Sequence, residues 1–162
     1  MQLALFTSSV LLDSYESEKS RPFAEAVPGT FAAAEASSGF VWLAPRIEVV
    51  LDESGTPKRT FPSFYKDSDH IVQTLSTWTD LSCAWNYVYR DTHLSALRKR
   101  GEWMQKPVRA QYVLWWVPRL SMPTHADAVL RLETLDDLGS TPDAFTFRTA
   151  FDASRQPAVV RG

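Results

Sequence analysis

Cysteine occurs once in this chain, at Cys83. An intramolecular disulfide is therefore excluded. No Cys or His stands at ligand spacing around it, so a structural zinc site is not expected. A free cysteine on an apolar helix usually behaves as a small hydrophobe. Histidine is nearly as scarce, with three residues, His70, His93 and His125, so imidazole chemistry has few places to occur. There is no excess of positive charge: 17 Lys and Arg stand against 19 Asp and Glu, a formal net charge of -2. Nucleic acid selects a basic face and is not an expected partner. No apolar run approaches the ~18 residues of a membrane span, so no membrane partner is expected. The N-terminal MQLALFTSSV has no basic leader and soon turns acidic. It reads as a strand rather than a signal peptide, and the expected location is the cytoplasm. Glycine-rich phosphate loops, G-x-S-x-G elbows and H-E-x-x-H helices are missing.

Aromatics are what the chain has in plenty: 12% of its 162 residues, with six tryptophans. The length fits one domain with a real core, taken as residues 1–152, followed by a flexible tail at 153–162. The densest stretch is HIVQTLSTWTDLSCAWNYVYRDTH, from His70 to His93. Ile71 to Trp78 alternates as a strand. Thr79 or Asp80 can cap a helix in which Leu81, Ala84, Trp85 and Val88 make one apolar stripe.

Other strands are expected at Gln2–Thr7, Gly39–Ala44, Ala110–Val117 and Ala144–Phe151. Helical pattern follows Pro22, breaks at Pro28-Gly29 and restarts at Thr30. Leu94 to Met104 is helical, with Arg98-Lys99-Arg100 as a solvated face. A last helix begins with Thr124 as N-cap and Asp127 in its first turn. The connection 52–66 carries the aromatic patch FPSFY.

This order predicts an α+β layer, with helices on one face of a mainly antiparallel sheet. The strand at 110–117 is apolar on both sides. The open sheet face is then expected to carry Trp78 and one of Trp115 or Trp116. A large apolar face implies a partner, and a homodimer through the sheet is expected.

The segments SGFVWLA, LSTWTDLSCAWNYVYRDTH, RKRGEWM, QYVLWWVP and TPDAFTFR, in this order, resemble an uncharacterised family of the dimeric α+β barrel superfamily. That superfamily includes antibiotic-biosynthesis monooxygenase-like proteins. The resemblance spans most of residues 1–150. It implies a ferredoxin-like antiparallel sheet, paired with a second copy as a dimeric α+β barrel. It also implies a pocket between sheet and helices for a small apolar or aromatic substrate, of polyketide type in secondary metabolism. Thr74 stands where the family often has Asn and is carried as a substrate-binding position.

His93 is the leading general acid/base candidate, because its pKa lies near working pH. Tyr89 could hydrogen-bond a substrate oxygen, and Arg90 could hold a carboxylate or oxyanion. Trp42, Trp78, Trp103 and Trp116 are candidates for an aromatic wall. The expected activity is cofactor-independent: acid/base chemistry as a cyclase, isomerase or lyase, or cofactor-free oxygenation. A haem-dependent enzyme with His93 as axial ligand is one alternative. A non-catalytic ligand-binding or assembly module is another. No metal and no cofactor are expected.

Overall fold

A computed structural model of the chain describes residues 1–45, 50–51, 54–55, 57–58, 61–65, 70–90 and 98–160. Four strands form the main sheet: β1 (Gln2–Val10), β2 (Phe40–Leu43), β5 (Ile71–Trp78) and β6 (Tyr112–Val117). Their order across it is β2-β5-β1-β6, and each neighbouring pair is antiparallel. The chain leaves β1 through helix α1 (Arg21–Glu35) and returns as β2 one strand further out. β5 fills the gap, and β6 lands on the far side of β1. This split crossover is the ferredoxin-like arrangement. Two short ribbons stand apart from it: β3 (Val50–Leu51) with β4 (Pro57–Lys58), and β7 (Ala150–Phe151) with β8 (Pro157–Ala158).

β1 is central, and its alternation divides the molecule into two cores. Leu3 and Leu5 pack with Trp78, Leu114, Ala34 of α1 and Ala84 of helix α2 (Leu81–Tyr89). Ala4 and Phe6 point the other way, to Leu75, Val113 and Trp115. The register carries this through the sheet, since Leu5 lies opposite both Ser76 and Leu114, and Phe6 opposite Leu75 and Val113.

The second core shows where the one-faced expectation needs correcting. Helix α4 (His125–Leu138) does not join α1 and α2. Its Ala128, Val129, Leu132 and Leu135 cover Ala4, Phe6, Val113 and Trp115 on the opposite face. Thr124 caps it as predicted, accepting from the Asp127 N–H while Asp127 accepts from the Thr124 N–H. The apolar face behind the homodimer expectation is thus covered within one chain. Pairing two sheets through those residues would require α4 to leave. Trp78 is not on that face either. Register with Leu3 turns it toward the helices, where it is fully buried, stacked on Tyr87 at 4.8 Å and set edge-on to Phe40 at 5.6 Å.

Three local expectations also change. α1 runs unbroken through Pro28. The Thr30 hydroxyl bonds the Ala26 carbonyl inside that turn. The expected strand at 144–151 shrinks to a bridge between Phe145 and Leu114 and to the two residues of β7. A turn interrupts it, with the Thr149 N–H on Thr146 Oγ1 at 3.3 Å. The segment after Asp152 folds back as β8, and Arg155 grips both Asp143 carboxylate oxygens at 2.8 and 2.7 Å.

Gly39 joins α1 to β2 with φ +77°, and a Cβ there would collide with the Cys83 and Thr79 side chains. Gly139 closes α4 with a similar φ of +74°, but a Cβ would meet nothing within 4 Å. With ψ at -171°, Gly139 sits in an extended positive-φ region that is essentially confined to glycine and costs another residue about 1–3 kcal/mol. Gly139→Ala should lose about 2 kcal/mol in chemical denaturation. Gly39→Ala should lose clearly more, roughly 3 kcal/mol. Equal losses would mean that the α1–β2 corner relaxes and does not fix α2.

Candidate functional site

Between the sheet and its helices lies a cavity of about 760 Å³. Its floor explains why it exists. On the side of β1 and β5 that faces α1, the residues after Leu5 are Thr7, Ser9, Val72, Thr74 and Ser76. These are small or polar where a filled core would carry Leu, Ile or Phe. The Thr7 and Thr74 hydroxyls bond each other at 2.7 Å, so the floor is satisfied without being filled. α1 forms the roof: Phe23, Val27, Thr30, Phe31 and Ala34 recur at helical spacing and all reach the cavity.

The third wall comes from residues 98–103, which are helical (α3) and run into Met104. Backbone bonds tie this segment to the end of β1: the Leu12 N–H to the Trp103 carbonyl and the Gln105 N–H to the Val10 carbonyl, each at 2.8 Å. That anchoring puts Arg100 and Trp103 on the cavity wall. Arg98 and Lys99 are exposed, but Arg100 is half-buried and donates to Ser9 Oγ at 3.4 Å. Burial lowers its pKa from the ordinary guanidinium value. No carboxylate pairs with it among the described residues.

Three phenols close the far side. Tyr87 donates to the Thr30 carbonyl at 3.3 Å, and burial pushes its pKa well above the usual phenol range. The Tyr112 oxygen accepts from the Phe147 N–H at 3.3 Å. Its pKa is raised as well, mainly by burial. Tyr87 and Tyr112 therefore stay neutral phenols at neutral pH. Glu16 also reaches the wall but is exposed to solvent. Gln111 reaches it too, and its buried side-chain oxygen has no protein partner among the described residues.

The sequence candidates divide. Thr74, Tyr89 and Trp103 are on the cavity wall. Trp103 is 8% exposed and meets Phe23 edge-on at 5.8 Å. Three tryptophans are elsewhere. Trp42 packs toward the α4 side because it lies opposite Thr77. Trp78 is sealed in the core, its indole N–H on Ser76 Oγ at 3.0 Å. Trp116 is turned to the β7–β8 ribbon, donating to the Phe151 carbonyl at 2.8 Å. Arg90 ends α2 in an exposed position. His93 lies outside the described residues. Sequence reading missed Arg100, Tyr87, Tyr112 and the Thr7–Ser9 floor. The floor did leave a signal, since small polar residues alternate along two strands that pair with each other. Among the described residues no three His, Cys, Asp or Glu side chains converge as a metal site. None of the helices so described is long and apolar enough to cross a membrane.

One family model covers nearly the whole chain, residues 2–161. The chain belongs to the family described as domain of unknown function DUF3291. No curated protein matches this DUF3291 sequence. Solved structures that resemble it include a conserved protein from Methanosarcina mazei Go1, at 10% identity and TM-score 0.49, covering 73% of this chain and 94% of that one. SnoaB from Streptomyces nogalater, a cofactor-independent oxygenase, is 12% identical at TM-score 0.46, with 76% and 98% covered. A Dabb family protein of ferredoxin-like fold from Mesorhizobium loti is 12% identical at TM-score 0.42, with 73% and 98% covered. The ferredoxin-like assignment of the DUF3291 chain rests on its own strand order.

The buried phenols carry a pH consequence. Tyr87 keeps its proton above the unfolded value, so its contribution to stability is complete below about pH 10 and is lost as pH rises beyond that. Thermal melts from pH 8 to 11 should show a steep alkaline loss, and Tyr87→Phe should flatten it. Parallel curves for the two proteins would mean that Tyr87 ionises freely in the folded state.

Proposed function

We propose that this protein binds a small, flat, largely apolar molecule in the cavity between α1 and the sheet and acts on it chemically. The supporting observation is the cavity itself. Its volume suits a molecule of two to four rings, and its apolar walls converge on a few fixed polar groups, as ligand sites do. Neutral phenols and a guanidinium can hold a carbonyl or enolate oxygen and stabilise charge that develops there. Proton transfer needs a group that titrates near pH 7. The described wall carries no imidazole, and its one carboxylate, Glu16, stands at the exposed edge. His93 is the proposed acid/base group, which the sequence places three residues beyond Arg90. The chemistry is then cyclisation, isomerisation or elimination by proton transfer, or cofactor-free addition of O₂ to a stabilised carbanion.

Ala26 lines the roof on α1, where a larger side chain would enter empty space without breaking the helix. Ala26→Phe should fold with a melting temperature near that of wild type and should weaken binding of aromatic compounds by about tenfold or more. Unchanged affinity in this variant would remove the cavity as the ligand site. His93→Ala should bind and melt like wild type yet fail to convert any compound that wild type converts. Loss of folding instead would make the histidine structural.

A further inference from the structure

We infer that the cavity takes an anionic ligand, a planar apolar body bearing a carboxylate or enolate that docks on Arg100. The inference rests on the cavity being the ligand site, and it adds the ligand's charge and orientation.

Arg98, Lys99 and Arg100 are consecutive on α3. A solvated basic face would leave all three in water, and the first two are exposed. Arg100 instead turns inward, onto a wall that includes Phe23, Val27 and Trp103. A guanidinium has five N–H donors. Among the described residues Arg100 spends them on one neutral acceptor, Ser9 Oγ at a long 3.4 Å. Removing a cation from water without a counter-charge is unfavourable, and proteins rarely do so unless something pairs with it.

Among the described residues nothing nearby supplies that charge. Tyr65 is the one described titratable group whose field acts on Arg100, and burial raises its pKa, so it stays a neutral phenol. Glu16 shares the cavity wall but makes no ion pair with Arg100. A ligand carboxylate satisfies the fork in a bidentate pair. Trp103 and Phe23 beside it offer aromatic surface to the attached ring. A ligand held this way has its opposite end toward Tyr89 and Tyr112, whose hydroxyls can receive a carbonyl or hydroxyl oxygen.

Matched probes test this. 2-Naphthoate and 2-naphthamide share a shape and differ in charge, as do anthracene-2-carboxylate and its carboxamide. Affinities would be read by calorimetry on wild type, Arg100→Gln, Arg100→Lys and Ala26→Phe. Wild type should prefer each carboxylate by about tenfold or more. Arg100→Gln should abolish the preference by weakening the carboxylates far more than the amides, and Arg100→Lys should retain part of it. Amides that bind wild type but not Ala26→Phe keep the cavity reading alive whatever Arg100 does. In that case, equal affinity for acid and amide in wild type overturns the anionic ligand, as does a preference that survives Arg100→Gln. If no member of either pair binds wild type, the cavity reading falls and this inference falls with it. Should Arg100→Gln fail to fold, the wild-type comparison and Arg100→Lys still decide.

Discussion

Alternation along β1 is the constraint on which the rest of the structure depends. The strand is central, so every residue from Leu3 to Phe6 must be apolar or small on whichever side it points. A shift of one residue would exchange the two cores and turn the polar floor of Thr7 and Ser9 toward α4. The registers with β5 and β6 are therefore fixed by burial on both faces at once. The same strand changes character halfway along. Its first half closes a core on the helix side, and its second half opens a cavity there.

Most of the sheet was legible in the sequence because its strands are long and strongly patterned. The strand at 71–78, the Thr124 cap and the two-sided strand near 112–117 carry signals strong enough to outlast tertiary effects. The side that α4 takes was not legible. Its stripe of Val129, Leu132 and Leu135 demands an apolar surface, and both faces of this sheet provide one. The choice is made by three-dimensional complementarity between Phe6, Trp115 and the helix, which one-dimensional pattern does not encode. The proline in α1 misled for a related reason. Pro28 is costly in an isolated helix, but packing of Phe23, Val27 and Phe31 around it favours one continuous helix.

The site was legible only in part. Of the four tryptophans expected in an aromatic wall, Trp103 lines the cavity, whereas Trp42, Trp78 and Trp116 pack elsewhere. An aromatic side chain is equally at home in a core and on a ligand wall, so its presence alone does not discriminate. The basic run 98–100 reads as a unit in the sequence, although a helix turns each successive residue by about 100° and gives neighbours different surroundings.

What did discriminate was the opposite of hydrophobic pattern. A cavity in a folded protein needs positions where the chain withholds volume, and withheld volume is unfavourable unless polar groups or a ligand compensate. Thr7, Ser9, Thr74 and Ser76 withhold it on two paired strands, and Ala26 and Ala34 withhold it on the helix above. Filling these positions with Leu or Val would serve stability better. Their joint smallness on one side of one sheet, against full packing of Phe6, Leu75, Val113 and Trp115 on the other, is what puts the cavity on the α1 side. α4 covers that other face within the chain and supplies none of the described cavity wall, so packing and cavity are divided between the two faces of one sheet.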